Sequence, residues 1–139
     1  MTSTPNAPST SRRPAAIARR VAWASWAAFL LAFALFEAVK YGTGVWLALI
    51  GGLIAPDLTF LAAVGVKEKL RRGQLAPRAV PYYNALHRTW VPLAIALVYS
   101  VGIVDWPALF TFLLAWMLHI AVDRIAGYGL RTKEGFVRG

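Results

Sequence analysis

"VAWASWAAFLLAFALFEAV", residues Val21 to Val39, carries a single charged side chain, Glu37, close to its end. A helix of this length reaches across the roughly 30 Å hydrocarbon core of a bilayer at about 1.5 Å per residue, whereas a core strand of a soluble domain needs far less. Trp23 and Trp26 stand near its start, where amphipathic rings sit at the level of lipid headgroups. The stretch therefore reads as a transmembrane helix, and the chain as an integral membrane protein. A secretory leader is the rival reading, with Arg12, Arg13, Arg19 and Arg20 as its basic region and Ala32-Phe33-Ala34 as a cleavage site. That site falls inside the apolar run, which is long for a leader, so the span is preferred.

Working outward, the whole chain follows the same pattern. Of its 139 residues 58% are hydrophobic and 15% charged, far from the balance of a water-soluble domain. Cysteine is absent, which excludes disulfides, thiolate metal sites and cysteine nucleophiles. The net charge of +9 comes from basic residues lying between and beside apolar runs, without the basic stripe and interleaved aromatics of a nucleic-acid surface. Nucleic acid is thus not an expected partner. The bilayer is, with anionic headgroups meeting both termini and the basic 67–88 loop.

Residues 1–16 are rich in Ser, Thr and Pro and read as a disordered basic tail; residues 17–139 read as one domain. The fold expected is all-α, a polytopic bundle of four transmembrane helices, spanning about 21–39, 45–66, 86–104 and 106–125. Pro56 should kink or break the second span, and Gly51-Gly52 should let a neighbouring helix approach closely. Gly127 should terminate the last helix. Lys and Arg crowd the N-terminal flank, the loop from Lys67 to Arg88 and the C-terminal tail, and are sparse at the other turns. The positive-inside rule then expects both termini in the cytoplasm, and four crossings give that parity.

Under that topology the ionisable residues converge at one depth. Asp57 lies late in the second span, Asn84, His87 and Arg88 share a face at the entry to the third, and His119, Asp123 and Arg124 leave the fourth. His119 and Asp123 are four apart, hence on one helical face. Arg124, next to Asp123, points about a hundred degrees away, toward headgroups or a partner helix. A carboxylate at membrane depth needs a partner, a proton or a cation. In one reading Asp57, His87, His119 and Asp123 ligate a divalent metal, zinc or manganese, in a hydrolase. In the other, Asp57 and Asp123 form salt bridges with Arg88 and Arg124, the histidines hydrogen-bond the carboxylates, and the set pins three helices together. The sequence favours pairing and leaves the enzyme question and the oligomeric state open. Translocation would need a polar path through the outer half, where the third and fourth spans offer only Tyr99, Ser100 and Thr111.

Three segments carry a likeness: "APDLTFL" from Ala55, "YYNALH" from Tyr82 and "WMLHIAVDRIAGYGLRTKEGF" from Trp116. In that order they resemble the signature segments of a bacterial integral membrane family catalogued as domain of unknown function 4260. The resemblance implies a small polytopic membrane protein and supplies no substrate. A more distant similarity of pattern, in the order Asp57, His87 and His119/Asp123, is to membrane-bound metal-dependent hydrolases.

Overall fold

The computed structural model describes residues 12–102 and 104–138, and the first eleven residues of the expected tail lie outside it. Five α-helices follow one another: α1 (Arg12–Tyr41), α2 (Thr43–Ile54), α3 (Val80–Leu86), α4 (Trp90–Val101) and α5 (Pro107–Ala126). Among the described residues the chain is otherwise turns, two 3₁₀ segments and one isolated antiparallel bridge between Arg131 and Val137. Helix α1 already includes residues 12–16, which the composition assigns to the tail. Pro14 falls in the first turn, where a missing N–H costs nothing, and Ala15 and Ala16 are strong helix formers.

Among the described residues three helical stretches are long and apolar enough to cross a membrane: Arg12–Tyr41, Thr43–Ala63 and Pro107–Ala126. The second joins α2 to the 3₁₀ segment Ala55–Ala63, so the helix tightens at Pro56 instead of breaking. The span expected at 86–104 is different. Its helix α4 has 12 residues, about 18 Å against a core of about 30 Å. The residues His87, Arg88 and Thr89 interrupt the helical path, because α3 ends at Leu86 and His87 serves as its cap.

Helix α5 is the hub, packing on α2, α1 and α4. Its buried positions include Leu113, Leu114, Ala115, Met117, Leu118 and Ala121, and α1 meets it with Ala27, Leu30, Ala34 and Ala38, a stripe at helical spacing. Exposed apolar side chains such as Phe29, Phe36, Leu47, Leu97 and Val98 cover the outside of the bundle, as they do on a lipid-facing surface.

Small residues set the helix separation. A Cβ on Gly52 would strike the backbone oxygen of Phe112 and come within 2.7 Å of the Ala115 methyl, whereas one on Gly51 would meet the Phe112 ring at an ordinary 3.6 Å. Gly52→Val should therefore force α2 and α5 apart, at a cost near the upper end of the roughly 1–3 kcal/mol seen for overpacking. Thermal unfolding in detergent micelles checks this, with Gly51→Ala expected to unfold like the parent.

A cap closes one end of the bundle. Residues 65–79, α3 and the segment 128–138 enclose a second small core of Leu75, Ala79, Val80 and Tyr83. Backbone and side-chain bonds tie it together: Leu75 N–H donates to the Gly135 carbonyl at 2.9 Å and Gln74 Nε2 to the Glu134 carbonyl at 2.7 Å. Gly135 has φ 98° and faces the Leu75 carbonyl so closely that no Cβ fits.

Candidate functional site: a two-histidine, two-aspartate cluster

Each member of the cluster is placed by a different local device. Asp57 sits in the first turn of the 3₁₀ segment that Pro56 opens. His87 is fixed by the end of α3, its backbone N–H donating to Tyr83 O at 2.9 Å. His119 and Asp123 occupy adjacent turns of α5, with His119 seven residues before the end of that helix, about 10 Å along its axis.

The four side chains meet. His87 Nε2 lies 3.7 Å from Asp57 Oδ1 and 3.4 Å from Asp123 Oδ2. His119 Nε2 lies 3.3 Å from Asp57 Oδ1 and 3.5 Å from Asp123 Oδ2. The two Nε2 atoms are 3.3 Å apart. His87 is wholly buried, His119 and Asp123 are largely so, and the Asp57 side chain is 50% exposed.

The opposite ring nitrogens determine what these distances mean. Nδ1–H of His87 donates to the Tyr83 carbonyl at 2.9 Å, and Nδ1–H of His119 to the Leu53 carbonyl at 2.8 Å. A carbonyl only accepts, so Nδ1 carries a proton in each ring, and a ring that holds just that one proton turns a lone pair on Nε2 toward the centre. Two such lone pairs at 3.3 Å have no hydrogen to share. Two carboxylate oxygens face the same point and also only accept. The arrangement calls for something positive at its middle.

A divalent metal fits that need. A tetrahedral ion bound at about 2.0–2.2 Å by nitrogen and oxygen separates its ligand atoms by about 3.3–3.6 Å. The Nε2-to-Nε2 and the four Nε2-to-carboxylate separations run from 3.3 to 3.7 Å, and the set whose ligand atoms all lie close to one another is Asp57, His87 and His119, without Asp123. Charge-assisted hydrogen bonds would draw the imidazoles and carboxylates closer, to about 2.7–2.9 Å. Asp57, His87 and His119 each place a ligand atom within 4.8 Å of the others. An Nδ1–H donated to a backbone carbonyl is also the usual outer support of a metal-bound histidine.

The surroundings are rigid. The Tyr83 ring stacks on His87 with centroids 3.8 Å apart and 14° between planes, and Arg131 covers the other side of Tyr83 at 5.4 Å. Trp116 Nε1 donates to Leu86 O at 2.6 Å, holding the end of α3 against α5.

The remaining expected members do other work. Among the described residues the ion pairs of Asp57 and Asp123 are with the histidines, not with Arg88 or Arg124. Arg124 donates to the carbonyls of His87 at 2.9 Å and Tyr128 at 3.1 Å, and Arg88 is exposed. The α3–α4 interruption explains this: it turns His87 inward and leaves its carbonyl for a guanidinium to cap. Asn84 faces the C-terminal segment, where its amide bonds both backbone groups of Arg131, donating to O at 2.9 Å and accepting from N–H at 2.7 Å. Gly127 does end α5, in the left-handed conformation at φ 92°. The sequence offers no signal for Leu53, Tyr83 and Arg131 as supports, since two act through backbone carbonyls and the third reaches the site from the tail.

No curated protein and no solved structure matches the chain. A family model does, over residues 20–138, which takes in the whole cluster and the cap around it. The chain belongs to the family described as domain of unknown function (DUF4260).

Proposed function

We propose that this chain is a membrane-bound metal-dependent hydrolase, whose divalent ion, zinc or manganese, is held by Asp57, His87, His119 and Asp123. The observation that carries the reading is the inward-facing Nε2 pair, each imidazole having its Nδ1–H committed to a carbonyl on the far side. A bound divalent ion supplies Lewis acidity and makes water a nucleophile near neutral pH. The chain's own part is positional. Tyr83 and Leu53 carbonyls hold the rings in one tautomer, and the wholly buried His87 excludes water from one side. Asp57, half exposed on its 3₁₀ turn, leaves the other side as the direction of approach.

The same reading sets the cluster within the inner half of a bacterial cytoplasmic membrane. Basic residues at both termini and in the 67–88 loop favour the cytoplasmic side for the capped end. The stretch expected at 86–104 acts as the remaining crossing, entered from the cap at His87.

Metal analysis of the detergent-purified protein tests the proposal. About one zinc or manganese per chain is expected, lost in an Asp123→Asn, His119→Ala double variant that remains helical by circular dichroism. A metal-free parent, with a double variant that unfolds, would show the cluster to be structural.

A further inference from the structure

Beside the cluster, at the end of the bundle where α1 begins and α5 finishes, lies a pocket of about 400 Å³ that the hydrolase reading does not use. Four guanidinium side chains line it: Arg19 and Arg20 from α1, Arg124 from α5 and Arg138 from the C-terminal segment. Trp23 and Tyr128 form part of its wall. Its lining includes no acidic residue, and among the described residues no arginine has a carboxylate within ion-pair distance.

Such a gathering opposes itself. Like charges gathered on one concave surface repel one another, and a bound anion relieves that repulsion. Two of the four are also held in place. Arg124 is anchored to the His87 and Tyr128 carbonyls, and Arg138 Nε donates to Arg131 O at 3.1 Å, which leaves its two terminal amino groups free. The pocket thus presents pre-oriented, forked donors in a concave space, the arrangement that suits a tetrahedral oxyanion with several acceptor oxygens. Its place along the chain fits as well, since Arg19 and Arg20 immediately precede the apolar run of α1 and Trp23 is at its start.

We infer that this four-arginine pocket is a binding site for a phosphate group, as the headgroup of an anionic lipid or as a free phosphate. It stands apart from the metal reading, because none of the four arginines is a ligand of the cluster.

The full chain in phosphatidylcholine nanodiscs, treated with chelator so that no bound metal contributes, gives the test. Inorganic phosphate is titrated by calorimetry, and retention of phosphatidic acid from mixed-lipid nanodiscs is read by native mass spectrometry. Saturable binding of phosphate identifies the free anion, and selective retention of phosphatidic acid alone identifies the headgroup. In either case Arg138→Gln, and separately Arg19→Gln with Arg20→Gln, should weaken binding about tenfold or more, as loss of a charge-assisted hydrogen bond implies. Arg71→Gln with Arg72→Gln, an equal loss of charge in the exposed loop, should leave it unchanged. Binding of neither probe, or equal weakening by the loop variant, would overturn the assignment. Arg138 lies outside every helix, so its variant reads the pocket without disturbing insertion of α1.

Discussion

Removing the metal with a chelator is expected to lower the unfolding midpoint of the purified protein by about 8–16 °C, and zinc or manganese added back should restore it. The size follows from linkage. An ion present at about a thousand times its dissociation constant stabilises the state that binds it by about 4 kcal/mol, and each kcal/mol moves the midpoint of a domain this large by about 2–4 °C. The effect should be large here because the cluster joins parts of the chain far apart in sequence: a 3₁₀ turn, the end of α3 and two turns of α5. Without an ion, the Nε2 lone pairs 3.3 Å apart and two carboxylates face each other, and the bundle must bear that repulsion or take up protons. His87→Ala should unfold at one midpoint with or without chelator. Lowering the pH should erase the metal's contribution in the parent, since protons compete for the same Nε2 atoms. A parent indifferent to chelator and to added metal would refute the metal centre, whatever the variant does.

The second large effect is expected at Asn84. Its carboxamide satisfies the N–H and the C=O of Arg131 together, and both residues are buried. Asn84→Leu fits the space but offers neither bond, leaving the Arg131 N–H without a partner at about 1–3 kcal/mol while the Arg131 carbonyl keeps only Arg138 Nε. The loss should fall on the cap and not on the bundle, because no other helix depends on this bond. Amide hydrogen exchange across 130–138 should accelerate about thirtyfold or more, the equivalent of about 2 kcal/mol, and trypsin should cut after Arg131 and Lys133 far sooner. Exchange in α1 and α5 should not change. If those helices accelerated equally, the cap would be part of one cooperative unit with the bundle.

The parts of this molecule that could be read beforehand are those governed by local rules. Length and apolarity mark α1, the α2 stretch and α5, and a spacing of four puts His119 and Asp123 on one face without reference to anything else in the chain. Convergence of Asp57 and His87 on that face also followed, from depth alone. What resisted was anything set by a contact across the fold. The third apolar run reads as one span, yet the chain bends at His87, because a cap bonded to Tyr83 and an Arg124 donated from α5 make the interruption stable. Arginine seemed the natural partner for a membrane-depth aspartate, but Arg124 is drawn to carbonyls at that same interruption. Asn84 shares a short helix with His87, so helical periodicity grouped it with the cluster. Only the path of the tail shows that it serves the cap.

The central position of α5 bears on how the protein is made. A ribosome delivers α1, α2 and α4 before the helix against which all three rest, so during synthesis the early segments must wait with the packing stripes that face α5 unfilled. Asp57 and His87 wait with them, lacking the two residues that complete their quartet. Assembly is consequently a late docking event, and the proposed metal centre can capture its ion only once that docking is done.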